Sequence, residues 1–247
     1  MIPLKSEEDL RMLRHAGKIL AKIMQALRNF TEIGVSTSQI DNLAEELMSK
    51  ENVLPAFKGY QGYPATICAS INEEVIHGIP GDRRLKDGDI IGIDAGINYM
   101  GYFCDAAVTF GVGKIDPRMK KLMDVAKTAL SEGIKQARPD NHLQDISYAI
   151  QSYVERNGFS VVRQFVGHGI GRNLHEEPEV PNFGMARRGP VIKAGMVVAI
   201  EPMVNMGTWE TQMTDNGWTA VTCDGLPSAH FEHTVAITDK GPEILTN

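Results

Sequence analysis

Asp94 and Asp105 interrupt two runs, 90–97 and 102–110, that otherwise read as apolar strand. A lone buried carboxylate costs several kcal/mol unless a partner offsets it, so each acid needs a counter-charge. An antiparallel hairpin with its loop over residues 98–101 sets Asp94 directly opposite Asp105 on one face. Opposed Cβ atoms lie roughly 4.5–5.5 Å apart, where like charges repel. A cation between them resolves the conflict. Gly92 and Gly96 flank Asp94 on that face and leave room for an ion or ligand, while Ile91, Ile93 and Ile97 turn into the core. The loop is a poor hairpin turn, because Tyr99 and Met100 are not the residues such turns favour.

The second half of the chain repeats the oddity. Glu201 in "VVAIEPMV" and Glu232 in "SAHFEHTVAIT" are acids in β-rich apolar runs, and His168 lies in the Gly-rich "VGHGIGRNLHEEP", seven residues before His175. The four carboxylates carry a formal charge of −4, so one divalent ion leaves −2 in a poorly solvated site, whereas two cancel it and can still bind hydroxide. A dinuclear centre is expected. His15 and His142 fall in helical segments without acids and read as surface or packing residues. The pairs Glu73-Glu74 and Glu176-Glu177 read as solvated.

Helices and strands must carry these residues. Ser6 with Asp9 is a capping box ahead of the stripe Leu10, Leu13, Gly17, Leu20, Met24 and Leu27, which predicts a helix ending near Phe30. Ser36 with Gln39 starts a second helix, and strands follow at about 65–70, 90–97 and 102–110. The order then begins again. Asp116-Pro117 opens a third helix, a fourth follows the "RPDN" break with Ile146, Ala149, Ile150 and Val154 inward, and strands follow near 161–166, 196–204, 218–222 and 234–238. Helix, helix, strands thus occurs twice, which suggests an internal duplication with a site on the seam between the halves.

The totals limit the alternatives. A chain of 247 residues, 43% of them hydrophobic, can bury a large core. Its net charge of −6, with acids and bases interleaved, argues against nucleic acid as a main partner. Cys68, Cys104 and Cys223 form no CxxC pair, which fits a reducing compartment rather than a disulfide framework. The start "MIPLKSEEDL" has no apolar signal core, and no run of about 18 apolar residues occurs, so a cytoplasmic protein away from membranes is expected.

Taken in order, "NEEVIHGIPG", the spaced aspartates, "GHGIGRNLHEEP", "IEPMV" and "FEH" resemble the type I methionine aminopeptidases of metallopeptidase family M24, from about Leu10 onward. The resemblance implies an α+β pita-bread fold over a single catalytic domain, 1–247. It has pseudo-twofold halves of about 1–113 and 114–247, a curved antiparallel sheet and outer helices. It also implies that Asp94, Asp105, His168, Glu201 and Glu232 are metal ligands, with Asp105 and Glu232 bridging. His77 and His175 would contact substrate or its transition state, and Tyr60, Tyr63, Cys68, Leu174 and Trp218 would line the methionine pocket. Asn72 and Ser228 match positions near a monovalent-cation site. Leu174, Phe57 and His230 depart from the common family pattern in ways that bear on pocket shape.

The implied reaction removes the N-terminal methionine of newly made proteins and peptides with a small second residue, through attack by a metal-activated hydroxide. Glu201 would shuttle the proton and His175 would polarise the carbonyl. One nitrogen and several carboxylates, without thiolate, suit Mn, Fe or Co and admit Zn. The implied partners are nascent N-terminal peptides near the ribosome, met by a monomeric enzyme with no sequence-specific nucleic acid. Two rivals share the fold: a proline-directed aminopeptidase and a metal-free module that binds peptides.

Overall fold

The computed structural model describes residues 2–247. Among the described residues four α-helices form, three of them where the caps place them. These are α1 (Glu7–Phe30), α2 (Thr37–Lys50), α3 (Pro117–Gln136) and α4 (Leu143–Arg156). Ser6 and Asp9 exchange their capping bonds, as do Ser36 and Gln39, and Asp116 Oδ1 accepts from Arg118 N at 2.7 Å with Pro117 in the first turn. His142 stands at the start of α4, where its backbone N–H is met by Asp145 Oδ2 at 2.7 Å. The sequence predicts the four helices and their order, helix, helix, strands, twice over.

All the strand pairing is antiparallel. In the first half Ile90–Tyr99 is flanked by Ile67–Ile71 and by Tyr102–Gly111. In the second half a five-stranded sheet runs in the spatial order Gly241–Ile244, His233–Thr238, Val197–Ile200, Val166–Gly169, Glu176–Pro181. One hydrophobic cluster draws mainly on residues 10–112 and lies under α1, and another draws mainly on residues 115–244 and lies under α3 and α4. The helix faces are therefore covered mainly by their own half's strands. Gly17 lets α1 approach the chain just past the last strand, Gly241–Ile244: a Cβ there would lie 2.2 Å from Leu245 O.

Several expected strands are shorter than their apolar runs, for identifiable reasons. The first begins at Ile67 because Asp41 Oδ1 on α2 takes the amides of Thr66 and Ile67, each at 2.9 Å. The expected 196–204 strand breaks at Glu201-Pro202 into Val197–Ile200 and Met203–Asn205, since proline has no N–H to give to a ladder. The 218–222 strand begins at Ala220, because Asn216 Oδ1 accepts from Trp218 N and Thr219 N, each at 2.9 Å. Glu176–Pro181 was not expected as a strand. It contains Pro178 and ends on Pro181, and it lies at the sheet edge, the place where proline is tolerated. No helix among the described residues is long and apolar enough to cross a membrane.

Candidate metal centre

The hairpin carrying Asp94 and Asp105 corrects the expected register. Asp94 faces Ala107, and Asp105 faces Gly96. The turn is a tight one on Met100 and Gly101, with φ of 53° and 83°, and Asn98 Oδ1 accepts from Gly101 N at 2.8 Å. Two residues at positive φ give the primed turn that suits strand twist, and methionine is an unusual occupant of the first place. The pairing is displaced by two residues, an even number, so both acids keep one face and meet diagonally. Gly92 and Gly96 serve another purpose than expected. A Cβ on Gly96 would lie 2.7 Å from the Phe57 ring, and one on Gly92 would lie 3.3 Å from Thr109 Oγ1, so the space is filled by side chains.

The other acids arrive from the second sheet. Glu201 follows Val197–Ile200 and Glu232 precedes His233–Thr238, and because His233 pairs with Ile200 the two glutamates leave adjacent strand ends together. His168 lies on the neighbouring strand opposite Ala199, at an irregularity in that strand's pairing with Glu176–Pro181. The sheets are fastened at this seam. Glu232 N donates to Ala107 O at 2.9 Å, and Thr234 Oγ1 accepts from Asp105 N at 3.1 Å while lying 3.0 Å from Asp105 Oδ1.

The convergence is close. His168 Nε2 lies 3.4 Å from Asp105 Oδ2 and 3.6 Å from Glu201 Oε1, and donor atoms of Asp105, His168 and Glu232 lie within 4.8 Å of one another. His168 Nδ1 is 2.9 Å from Gly169 O. Burial disfavours the charged form of this imidazole, but the charges of Asp105 and Glu201 outweigh burial and raise it to about 9; with Nδ1 donating to the carbonyl, a divalent ion would take the place of the Nε2 proton, the usual arrangement of a metal-binding imidazole. Asp94 Oδ1 is buried without a hydrogen-bond partner. Burial pushes the Asp94 carboxyl up to about 7, with Asp105 and Glu201 adding to the effect. Burial likewise pushes Glu232 well above the ordinary carboxylate range, with the charges of Asp105, Glu201 and Asp94 in the same direction. A site so hostile to uncompensated negative charge, with an orphan oxygen and hard donors, fits divalent cations.

Above these groups lies a cavity of about 160 Å³, lined by the five residues together with Tyr60, Tyr63, Cys68, His77, Leu174, His175 and Trp218. Every site residue expected from the sequence except Asn72 and Ser228 is therefore brought to one place. Tyr63 and Trp218 meet edge to face with centroids 5.1 Å apart. The Tyr63 hydroxyl is 3.0 Å from both Ile67 O and Gly78 O, so its polar end is turned away and its ring is offered to the cavity. Burial keeps the Cys68 thiol neutral by pushing its pKa up. His77, at φ 57°, and His175 are each lowered to about 4 by desolvation, so both imidazoles are neutral at pH 7. The His175 and His168 rings lie 4.3 Å apart, and His175 Nδ1 is 2.7 Å from the Tyr60 hydroxyl.

Some residues stand differently from expectation. His230 is more than a residue of pocket shape: it is 5% exposed, its Nε2 has no hydrogen-bond partner, and that atom lies 3.6 Å from Glu201 Oε2. Its spacing of two from Glu232 is the clue, since residues two apart in extended chain share a face. Gln61 also lines the cavity, and no motif or broken apolar pattern marks it in the sequence. Glu74 and Glu176 are not solvated. Glu74 accepts from Ile71 N at 2.7 Å and pairs with Arg83, and Glu176 is paired with Lys5. Asn72 O accepts from Ser228 N at 2.8 Å, so those two residues are neighbours outside the cavity. His15 packs against Tyr99 with centroids 4.7 Å apart and the rings tilted by 49°, a packing role.

Residues 11–239 match the sequence family described as Metallopeptidase family M24. The chain is 54% identical to a methionine aminopeptidase of Clostridium perfringens, over 100% of this chain and 99% of that one. Among solved structures, the methionine aminopeptidase of Rickettsia prowazekii superposes with a TM-score of 0.99 at 40% identity, and that of Thermotoga maritima with 0.98 at 45%. Both comparisons cover 100% of each chain.

Proposed function

Because the chain belongs to metallopeptidase family M24 and has the pita-bread fold, we propose that its acid-lined cavity removes the N-terminal methionine from peptides and newly made proteins whose second residue is small. The observation that carries this reading is the apposition of four carboxylates and one imidazole to an apolar recess that includes Tyr63, Cys68 and Trp218. Thioether sulfur sits well against aromatic edges, so such a recess suits a methionine side chain.

The enzyme uses divalent metal, and the reading assigns two ions to Asp94, Asp105, His168, Glu201 and Glu232, with Asp105 and Glu232 shared between them. Divalent ions bound there would polarise the scissile carbonyl and bring the pKa of a coordinated water down toward roughly 7. Cobalt, manganese, iron and zinc all suit this donor set. A monovalent cation beside Asn72 and Ser228 belongs to the same reading, supported by their contact.

The side chains divide the work. When the Tyr60 hydroxyl donates to His175 Nδ1, the imidazole proton is on Nε2, free to be donated to the carbonyl oxygen as that oxygen gains charge. Glu201 takes a proton from the attacking water and returns it to the departing nitrogen as the C–N bond breaks. His77, neutral and edge-on to Trp218 at 6.4 Å, closes the recess beside the substrate. The same reading gives a cytoplasmic monomer acting on nascent chains near the ribosome. In a peptide panel with Co(II) supplied, Met-Gly and Met-Ala starts should release methionine, Met-Leu and Met-Ile starts should keep it, and Ala-Pro starts should keep their alanine. Efficient cleavage of Met-Leu or Ala-Pro would sink the specificity assignment.

A further inference from the structure

Lys5, in the segment ahead of α1, pairs its ammonium with the carboxylate of Glu176, the residue after His175, and the two side chains are only 5% and 6% exposed. The remaining Glu176 oxygen is also fully used. Oε1 accepts from Arg172 N at 2.7 Å and from Asn173 N at 3.0 Å, closing the turn that presents Leu174 and His175 to the cavity. Two glycines make way for the lysine. A Cβ on Gly171 would lie 2.2 Å from Lys5 Cε, and one on Gly195 would lie 3.1 Å from Lys5 O, while Lys5 N donates to Gly195 O at 2.6 Å. The N-terminal segment is thus strapped by its backbone to the turn that precedes Val197–Ile200 and by its charge to the His175 turn.

We propose that Lys5 is a positioning residue for the reaction: through Glu176 it fixes the backbone of residues 172–176 and so holds the His175 imidazole where the scissile carbonyl arrives. The inference rests on the role given to His175 above. Lys5 touches neither substrate nor the metal ligands. Its removal leaves a buried carboxylate without its counter-charge, and that carboxylate gains by pulling toward water and releasing the two amides it holds. A catalytic group moved by about 1 Å can cost on the order of 10²-fold in rate.

The test compares wild type, Lys5→Met, and Lys5→Met/Glu176→Gln, all loaded with Co(II), by steady-state kinetics on Met-Ala-Ser, metal content, and amide exchange of residues 171–177. The glutamine carbonyl still accepts from both amides and leaves no charge unpaired. Lys5→Met should lower kcat on the order of 10²-fold. KM and metal content should change little, and Arg172 and Asn173 amides should exchange faster. The double variant should recover most of the kcat. Unchanged kcat in Lys5→Met, even with lowered thermal stability, would reduce the pair to scaffold and overturn the proposal, as would a kcat loss that follows metal loss. Where Lys5→Met does not fold, Lys5→Met/Glu176→Gln is compared with Lys5→Met/Glu176→Leu, which lacks the acceptor. The proposal requires kcat to fall only in the latter, and equal values overturn it. Wild-type protein that releases no methionine would count against the proposed function itself. The amide exchange is read without turnover, so the two failures are told apart.

Discussion

Asp105→Ala should bind fewer divalent ions than wild type and lose on the order of 10³-fold or more in methionine release, because several kcal/mol of transition-state stabilisation depart with the metal. Asp105 is 3% exposed and occupies the centre of the arrangement: its Oδ2 faces His168, its Oδ1 faces Thr234, and it helps raise the carboxyls of Asp94 and Glu232. Removing it would delete a proposed ligand; it relieves like-charge crowding on Asp94 and Glu232 but takes away the partner of His168, so the metal-free variant should melt close to metal-free wild type. Metal analysis of the purified variant, beside thermal melts of both stripped proteins, checks both parts. Full metal content with normal turnover would remove Asp105 from the centre. Asp105→Asn is a less clean substitution, since its amide oxygen can still ligate.

His175→Ala should lower kcat by about 10²–10³, the range for a lost oxyanion donor, with KM altered little. Metal content should be unchanged, because on the proposed reading the four carboxylates already balance two divalent ions without it. The geometry agrees with such a role: the imidazole lies at the rim of the cavity, 4.3 Å from the His168 ring by centroids, with Nδ1 occupied by Tyr60. Donation strengthens as the carbonyl oxygen gains charge, so the effect belongs to kcat more than to binding. His175→Gln should recover part of the rate. Steady-state kinetics with metal analysis decides: loss of an ion would make His175 a ligand, and wild-type kcat would make it scaffold.

The local determinants of this fold were legible in the sequence because they act over three or four residues. Ser6 with Asp9 and Ser36 with Gln39 mark two helix starts, and Asp116-Pro117 marks a third. The shared face of Asp94 and Asp105 was legible too, since strand side chains alternate with a period of two and the error in register was itself two. The register was not, because the turn depends on Met100 at positive φ, a choice that local preference argues against. The strand at Glu176–Pro181 was hidden by its prolines, and the burial of Glu176 by a partner 171 residues away. His230 was visible as an odd residue, yet its approach to Glu201 depends on how Met203–Asn205 and Ser228–His230 pair, which no short window contains. Site residues came to light where they broke an apolar pattern or matched a family motif. Residues that merely hold them in place broke no pattern.

Whether metal bound by this cluster drives methionine release is tested most directly by one titration. Protein stripped by chelation is given Co(II) in steps while free methionine liberated from Met-Ala-Ser is measured. The expected result is no release from the stripped protein, then activity that rises with added metal and levels off by two equivalents per chain. Methionine release at full rate from the stripped protein, or none from protein shown to hold two ions, would contradict it.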